Sequence, residues 1–130
     1  MSVLGGAIVA ATQCEIMENG SNGVSCDGAK VRLNECQVHH NGRDGLQSSQ
    51  HAVVDLCGTK TDIHSNKRHG IRASYRAKVN IHLPSQHNTS HDNAGEDRFQ
   101  EEGGSIANIN ADGTFTHVVV EEDEDDEDDY

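Results

Sequence analysis

Cys36-Gln37-Val38-His39-His40-Asn41-Gly42-Arg43-Asp44-Gly45-Leu46 has a counterpart on either side of it in the chain. Cys14-Glu15-Ile16-Met17-Glu18-Asn19-Gly20-Ser21-Asn22-Gly23-Val24 precedes it by 22 residues. Thr61-Asp62-Ile63-His64-Ser65-Asn66-Lys67-Arg68-His69-Gly70-Ile71 follows it by 25. The same shifts relate the residues in between: Ala7, Val9 and Ala11 match Ala29, Val31 and Leu33, then Ala52, Val54 and Leu56, then Ala77, Val79 and Ile81. A fixed period of this length marks a solenoid, in which each unit buries its apolar side against its neighbours.

Each unit contains three short runs in which apolar residues alternate with polar ones, the pattern of a strand with one buried face. Three strands per 22 to 25 residues make one coil of a parallel β-helix, and the general preference of parallel crossovers makes it right-handed. The fold class expected is therefore all-β: a short right-handed parallel β-helix of about 3.5 to 4 coils over residues 1–83. Residues 84–102 read as a polar loop or degenerate coil, with Asn93 a candidate fourth position of the repeat. Residues 103–120 read as C-terminal strands in a hairpin around Asp112-Gly113, capping the solenoid. Residues 121–130, nine acids and Tyr130, read as a disordered acidic tail.

The repeated Asn-Gly-x-x-Gly positions predict two devices. Asn19, Asn41 and Asn66 fall in one column, where stacked amides would form a structural ladder that satisfies buried polar groups. Gly20, Gly42, Gly23, Gly45 and Gly70 are expected to supply backbone angles that other residues resist. With these residues in view, the chain resembles the right-handed β-helix repeats of the pectin-lyase-like superfamily over about residues 6–83. The resemblance lies in the repeat and in no catalytic motif, so it implies the fold and, more distantly, carbohydrate-active chemistry.

Composition agrees with a narrow core. There is no Trp, and the aromatic residues are Tyr75, Tyr130, Phe99 and Phe115. The net charge of −12 is held by the tail: without it, 13 acids face 10 bases. The four cysteines form no CxxC pair, although Cys14 and Cys36 share an inward position, as small buried hydrophobes or as a pair close enough for a disulfide or a soft metal. Residues 1–14 lack the basic start of a signal peptide, and no stretch is long enough to span a bilayer. A soluble protein, with an intracellular location favoured and no membrane association, is expected.

Three sets of residues are candidates for function. Lys60, Lys67, Arg68, Arg72, Arg76 and Lys78 fall within 19 residues and form a basic strip suited to an anionic polymer, with Tyr75 the one aromatic among them. His39 and His64 align on an outward position below Met17, roughly 5 Å apart for stacked strands, as a candidate metal or proton-sensing pair; His40 stands beside them. Asp55 falls between Arg32 and Asn80 or Lys78, as an outward carboxylate on this kind of fold, without the second carboxyl that glycoside hydrolysis requires. No catalytic residue and no cofactor is assigned.

Two functions from different classes follow. One is a non-catalytic β-helix binding or assembly module, recognising an anionic polysaccharide or other polymer, or a protein partner. The other is a carbohydrate-active enzyme of lyase, hydrolase or epimerase type, or its inactive relative. With few residues ahead of Ala7, the N-terminal coil is also expected to offer unpaired edges for self-association.

Overall fold

The computed structural model describes residues 1–82, 90–110 and 114–117, residues 115–117 by backbone alone. Within these residues the chain is all strand and turn, wound as a three-sided parallel β-solenoid. Strands are numbered in chain order. Sheet A stacks β1 (Ser2–Leu4), β4 (Val24–Asp27), β7 (Leu46–Ser49), β10 (Ile71–Ala73) and β13 (Arg98–Gln100). Sheet B stacks β2 (Ile8–Thr12), β5 (Lys30–Asn34), β8 (Val53–Cys57), β11 (Lys78–His82) and β14 (Ser105–Ile109), with β15 (Phe115–His117) antiparallel on its end. Sheet C stacks β3 (Glu15–Met17), β6 (Gln37–His39), β9 (Asp62–His64) and β12 (Ser90–His91).

The register explains why the repeat holds. Val31, Val54, Val79 and Ile106 pair down sheet B, and Val38 and Ile63 down sheet C, so each apolar column is continuous along the axis. Leu33, Leu46, Leu56, Ile63, Ile71 and Ile81 are almost wholly buried. Burying each such side chain contributes about 1.5–3 kcal/mol.

The ends differ. In the first coil Val9, Ala11 and Ile16 occupy core columns but are only partly covered. In the last coil the columns of Ile71 and Ala73 continue into Arg98 and Gln100. Arg98 is 9% exposed, and its Nη1 donates to Asn108 Oδ1 at 3.4 Å. Desolvation pulls its pKa down from the usual arginine value, against the opposing pull of Asp97. Gln100 Oε1 accepts from the Ile106 amide at 2.6 Å. Polar side chains thus turn inward where the apolar column ends.

Residues 84–102, expected as a polar loop or degenerate coil, carry β12 and β13, each paired parallel with the coil before. β14 is likewise a further rung of sheet B, and only β15 has the antiparallel pairing of the expected hairpin. The Asp112-Gly113 turn, the rest of the expected partner strand and the acidic tail at 121–130 lie outside the described residues.

Gly23, Gly42, Gly45 and Gly70 serve space and not backbone angle, which corrects the sequence expectation, while Gly20, where a Cβ would meet nothing within 4 Å, serves neither. None of Gly20, Gly23, Gly42, Gly45 and Gly70 has a positive φ. A Cβ at Gly23 would stand 2.6 Å from Asn41 Nδ2 and 2.7 Å from Val38 Cγ1. One at Gly45 would meet Asn66 Nδ2 and Ile63 Cγ2, each at 2.6 Å. The glycine makes room for the asparagine amide of the next coil.

Candidate functional site

Asn19, Asn41, Asn66 and Asn93 form one column inside the corner between sheets C and A. Asn19 Nδ2 donates to Asn41 Oδ1, Asn41 Nδ2 to Asn66 Oδ1 and Asn66 Nδ2 to Asn93 Oδ1, each at 2.9 Å. The same oxygens accept the backbone amides of Asn19, Asn41 and Asn66 at 3.2, 3.1 and 3.0 Å. Each amide oxygen thereby fixes both the side chain and the backbone of the coil before it.

Two residues before three of these asparagines stands a histidine. His39 and His64 stack at 4.9 Å with 1° between their planes, and His64 and His91 stack at 5.2 Å with 13°. His40 meets His39 edge-on at 4.8 Å. His91 and the direct role of His40 are additions to the sequence reading. The recurring His-x-Asn spacing at 39–41, 64–66 and 91–93 carries the signal for His91.

The neighbours of the three rings differ. His39 Nε2 lies 2.6 Å from Glu15 Oε2, and its Nδ1 lies 2.5 Å from His40 Nδ1. His64 Nδ1 bonds Ser65 Oγ at 2.8 Å. His91 is held at both nitrogens, by Asp92 Oδ2 at 2.9 Å and by Asp62 Oδ2 at 3.1 Å. The second oxygen of Asp62 is closer to His91 Nε2, at 2.9 Å, but is buried and has no hydrogen bond; the bond runs to Oδ2. Hydrogen bonds to Asp92 and Asp62 raise the pKa of His91 above the ordinary imidazole value. Desolvation lowers that of His64, aided by His39, His91 and His40 and opposed by Asp62. Among the described residues, no three His, Cys, Asp or Glu side chains gather as a metal-holding group.

The six basic residues wind around one coil. Lys60 and Lys67 are exposed in the turns flanking β9 on sheet C, with Arg68 half-buried beside Lys67. Arg72 faces out from sheet A and is taken up by Glu101, whose Oε2 lies 3.0 Å from Nε and 2.5 Å from Nη2. Lys78 opens β11 on sheet B. Arg76 stands apart, in the corner between sheets A and B, where Gln50, His51, Tyr75, Arg76, Glu102 and Gly103 line an open cleft of about 480 Å³.

The backbone turns at that corner through the left-handed region, as it also does just after the histidine column. The position just before the alanine column has positive φ in every coil: Gly6, Gly28, His51, Arg76 and Gly103, at 78, 66, 62, 64 and 78°. Glycine holds this conformation without strain, whereas a side chain there costs free energy. Among the described residues, the side chains of His51, Tyr75 and Arg76 have no hydrogen-bond or ion-pair partner, and Tyr75 is 52% exposed. The corner turn does not itself need the side chains of His51 and Arg76, since glycine takes the same position in the other coils.

Asp55 lies on the outward face of sheet B, in register with Arg32 and Asn80. Its Oδ1 accepts from Asn80 Nδ2 at 3.2 Å and lies 2.7 Å from His82 Nε2. The four cysteines are free. Cys36 is buried and Cys14, at the equivalent position of the coil before, is exposed. Burial raises the thiol pKa values of Cys26 and Cys57. Comparison with protein-family models finds no matching family, and comparisons with curated proteins and with solved structures find no match.

Proposed function

We propose that this chain is a non-catalytic β-solenoid binding module whose corner cleft takes an acidic sugar unit of an anionic polysaccharide. The observation that carries the proposal is the set of unpartnered side chains on strained backbone in that cleft. Arg76 offers a planar cation to a carboxylate or sulfate. Tyr75 offers a ring face, and Gln50 and His51 can donate or accept. Glu102, acceptor-only when ionised, calls for hydroxyl donors on the ligand. A sugar with an acidic group meets both demands. A phosphate polymer read by base stacking would find only one aromatic here. The proposed kinship with the pectin-lyase-like superfamily belongs to the same reading and rests on coil length and the Asn-Gly-x-x-Gly spacing.

Calorimetric titration with polygalacturonate, and with dextran as a neutral polymer, tests the proposal. Saturable, salt-sensitive binding of polygalacturonate alone, weakened about tenfold or more in Tyr75→Ala and Arg76→Ala, is the expected result; each good contact is worth about 1.4 kcal/mol on that scale. Binding that ignores both substitutions, or no binding to a panel of acidic polysaccharides, overturns it. The second reading, a carbohydrate-active enzyme, is favoured by the Asp55–His82 pair, which resembles an oriented acid–base couple. Release of reducing ends or unsaturated products, lost in Asp55→Asn, would replace the first reading with the second.

A further inference from the structure

In each coil of the histidine column, the residue after the histidine turns its side chain back onto Nδ1 of that ring. It is His40 after His39, Ser65 after His64 and Asp92 after His91, with φ of 55, 57 and 55°. The left-handed turn aims these side chains, but what they present differs. Asp92, with Asp62 on the opposite nitrogen, occupies both nitrogens of His91 with carboxylates, and no lone pair is left for a ligand. Ser65 presents a hydroxyl. His40 presents a second imidazole nitrogen.

The tautomer of His39 follows from its other side. Glu15 Oε2, 2.6 Å from Nε2, accepts a hydrogen bond from Nε2–H, so a neutral His39 carries its lone pair on Nδ1. That lone pair points at His40 Nδ1, 2.5 Å away. Carboxylate on one nitrogen and an open lone pair on the other is the arrangement that orients a metal-bound histidine. His39 is rigid in this position: it is 9% exposed and stacks squarely on His64. His40 is exposed and can adjust.

We propose that His39 and His40 chelate one divalent transition-metal ion of tetragonal preference through their facing Nδ1 atoms, with Glu15 holding His39 in the donor tautomer. The smallest opening of the pair that holds an ion favours one geometry. At a metal–nitrogen distance of about 2.0 Å, two nitrogens 2.5 Å apart subtend roughly 75°. Opening them to about 2.9 Å gives the right angle of square-planar or tetragonal copper(II) and nickel(II), whereas a tetrahedral zinc angle needs about 3.3 Å. His40 reaches the smaller opening with a short swing. Water fills the other positions, since no third His, Cys, Asp or Glu among the described residues joins the pair. The pair that binds is thus His39 with its chain neighbour His40; His39 and His64 present parallel ring faces to each other and do not converge.

Nickel(II) added to the full chain, followed by calorimetry and by paramagnetic broadening of the imidazole NMR signals, tests this. The expected result is one saturable site, broadening centred on His39 and His40, and an affinity about tenfold or more lower in His40→Ala. Glu15→Gln should weaken binding by about 10- to 100-fold, as loss of an orienting partner does elsewhere. Backbone NMR dispersion shows whether each variant keeps the fold. If folded His40→Ala binds nickel as well as the parent, or broadening centres on other residues, the pair is only an N–H···N hydrogen bond and the proposal fails. Absence of any saturable site overturns it equally.

Discussion

Asn41 is buried, while Asn19 at the start of the ladder is exposed, and the two asparagines make the same kind of bond. Removing the Asn41 amide leaves the backbone and side-chain N–H groups of Asn19 without their acceptor and takes one of two donors from Asn66 Oδ1, which keeps the Asn41 backbone amide. Asn41→Ala should therefore cost about 1–3 kcal/mol, and Asn19→Ala clearly less, in urea titrations of both variants. Equal losses would mean that enclosure contributes nothing to the ladder. The glycine next to the ladder gives a matched test. Gly45→Ala puts a methyl 2.6 Å from Asn66 Nδ2, and overpacking of that kind costs about 1–3 kcal/mol; Gly20→Ala meets nothing within 4 Å and should leave the midpoint nearly unchanged. At this scale the positions of the asparagines and glycines could be read from the sequence, because a repeat makes the requirement recur. The reason for the glycines could not, since a Cβ that collides with the next coil and a φ that excludes a Cβ both select glycine.

The histidine column makes a pH-dependent element of sheet C. His91 has a raised pKa when folded, so its contribution to stability is full below the ordinary imidazole value of 6.5 and is lost as pH rises through the raised value. His64 has a lowered one, so its contribution is full above 6.5 and is lost as pH falls through the lowered value. The groups facing them are Asp62, His39, His40 and the other column histidine for His64, and Asp92, Asp62 and His64 for His91. Their combined contribution peaks near pH 6.5 and declines on both sides. With a chelator present, urea midpoints across pH 5–8 should show His91→Gln flattening the alkaline side of that peak and His64→Gln the acid side. A reversed assignment, or parallel curves for parent and variants, would remove the electrostatic account. The two rings in the aligned segments were legible as neighbours, and Glu15 and Asp62 as carboxylates able to share their face, but which ring each carboxylate meets was not, because Glu15 bonds His39 and Asp62 bonds His91 across a coil boundary. The basic strip misled for a related reason. Neighbours in sequence travel around the circumference of a solenoid, so six cations in 19 residues spread over three faces, whereas a surface patch is built from residues a full coil apart.

The whole molecule is a stack with two unlike ends, and its overall form was the most legible feature, since coil length and strand count follow directly from the repeat. What lay beyond sequence reading was the last coil, where Arg98 and Gln100 replace apolar residues in core columns and hide the period. That polar turn inward, with β15 along β14, protects one end. At the other end β1, β2 and β3 each pair on one side only, and Val9, Ala11 and Ile16 are partly uncovered beside exposed Leu4 and Ile8. A two-fold axis across the solenoid, through the middle of sheet B, would pair β2 with β2 of a second copy and exchange sheets A and C. β1 and β3 have the same length of three residues, so each would meet a strand of matching length. Within the central pair Val9 would oppose Ala11, a larger side chain on a smaller, and Val3 would oppose Ile16. Such an interface is closed by its symmetry and stops at a dimer. It is only one coil across, well below the usual size of a stable interface, so the dimer should form reversibly and only at high concentration. Sedimentation equilibrium over a wide concentration range should show monomer passing to dimer without larger species. Val9→Lys, which places a charge beside the centre of the paired strands, should keep the chain monomeric while leaving its circular dichroism unchanged. A parent chain that stays monomeric at the highest concentrations reached, or a dimer indifferent to Val9→Lys, would mean that the exposed edges of the first coil do not pair with one another.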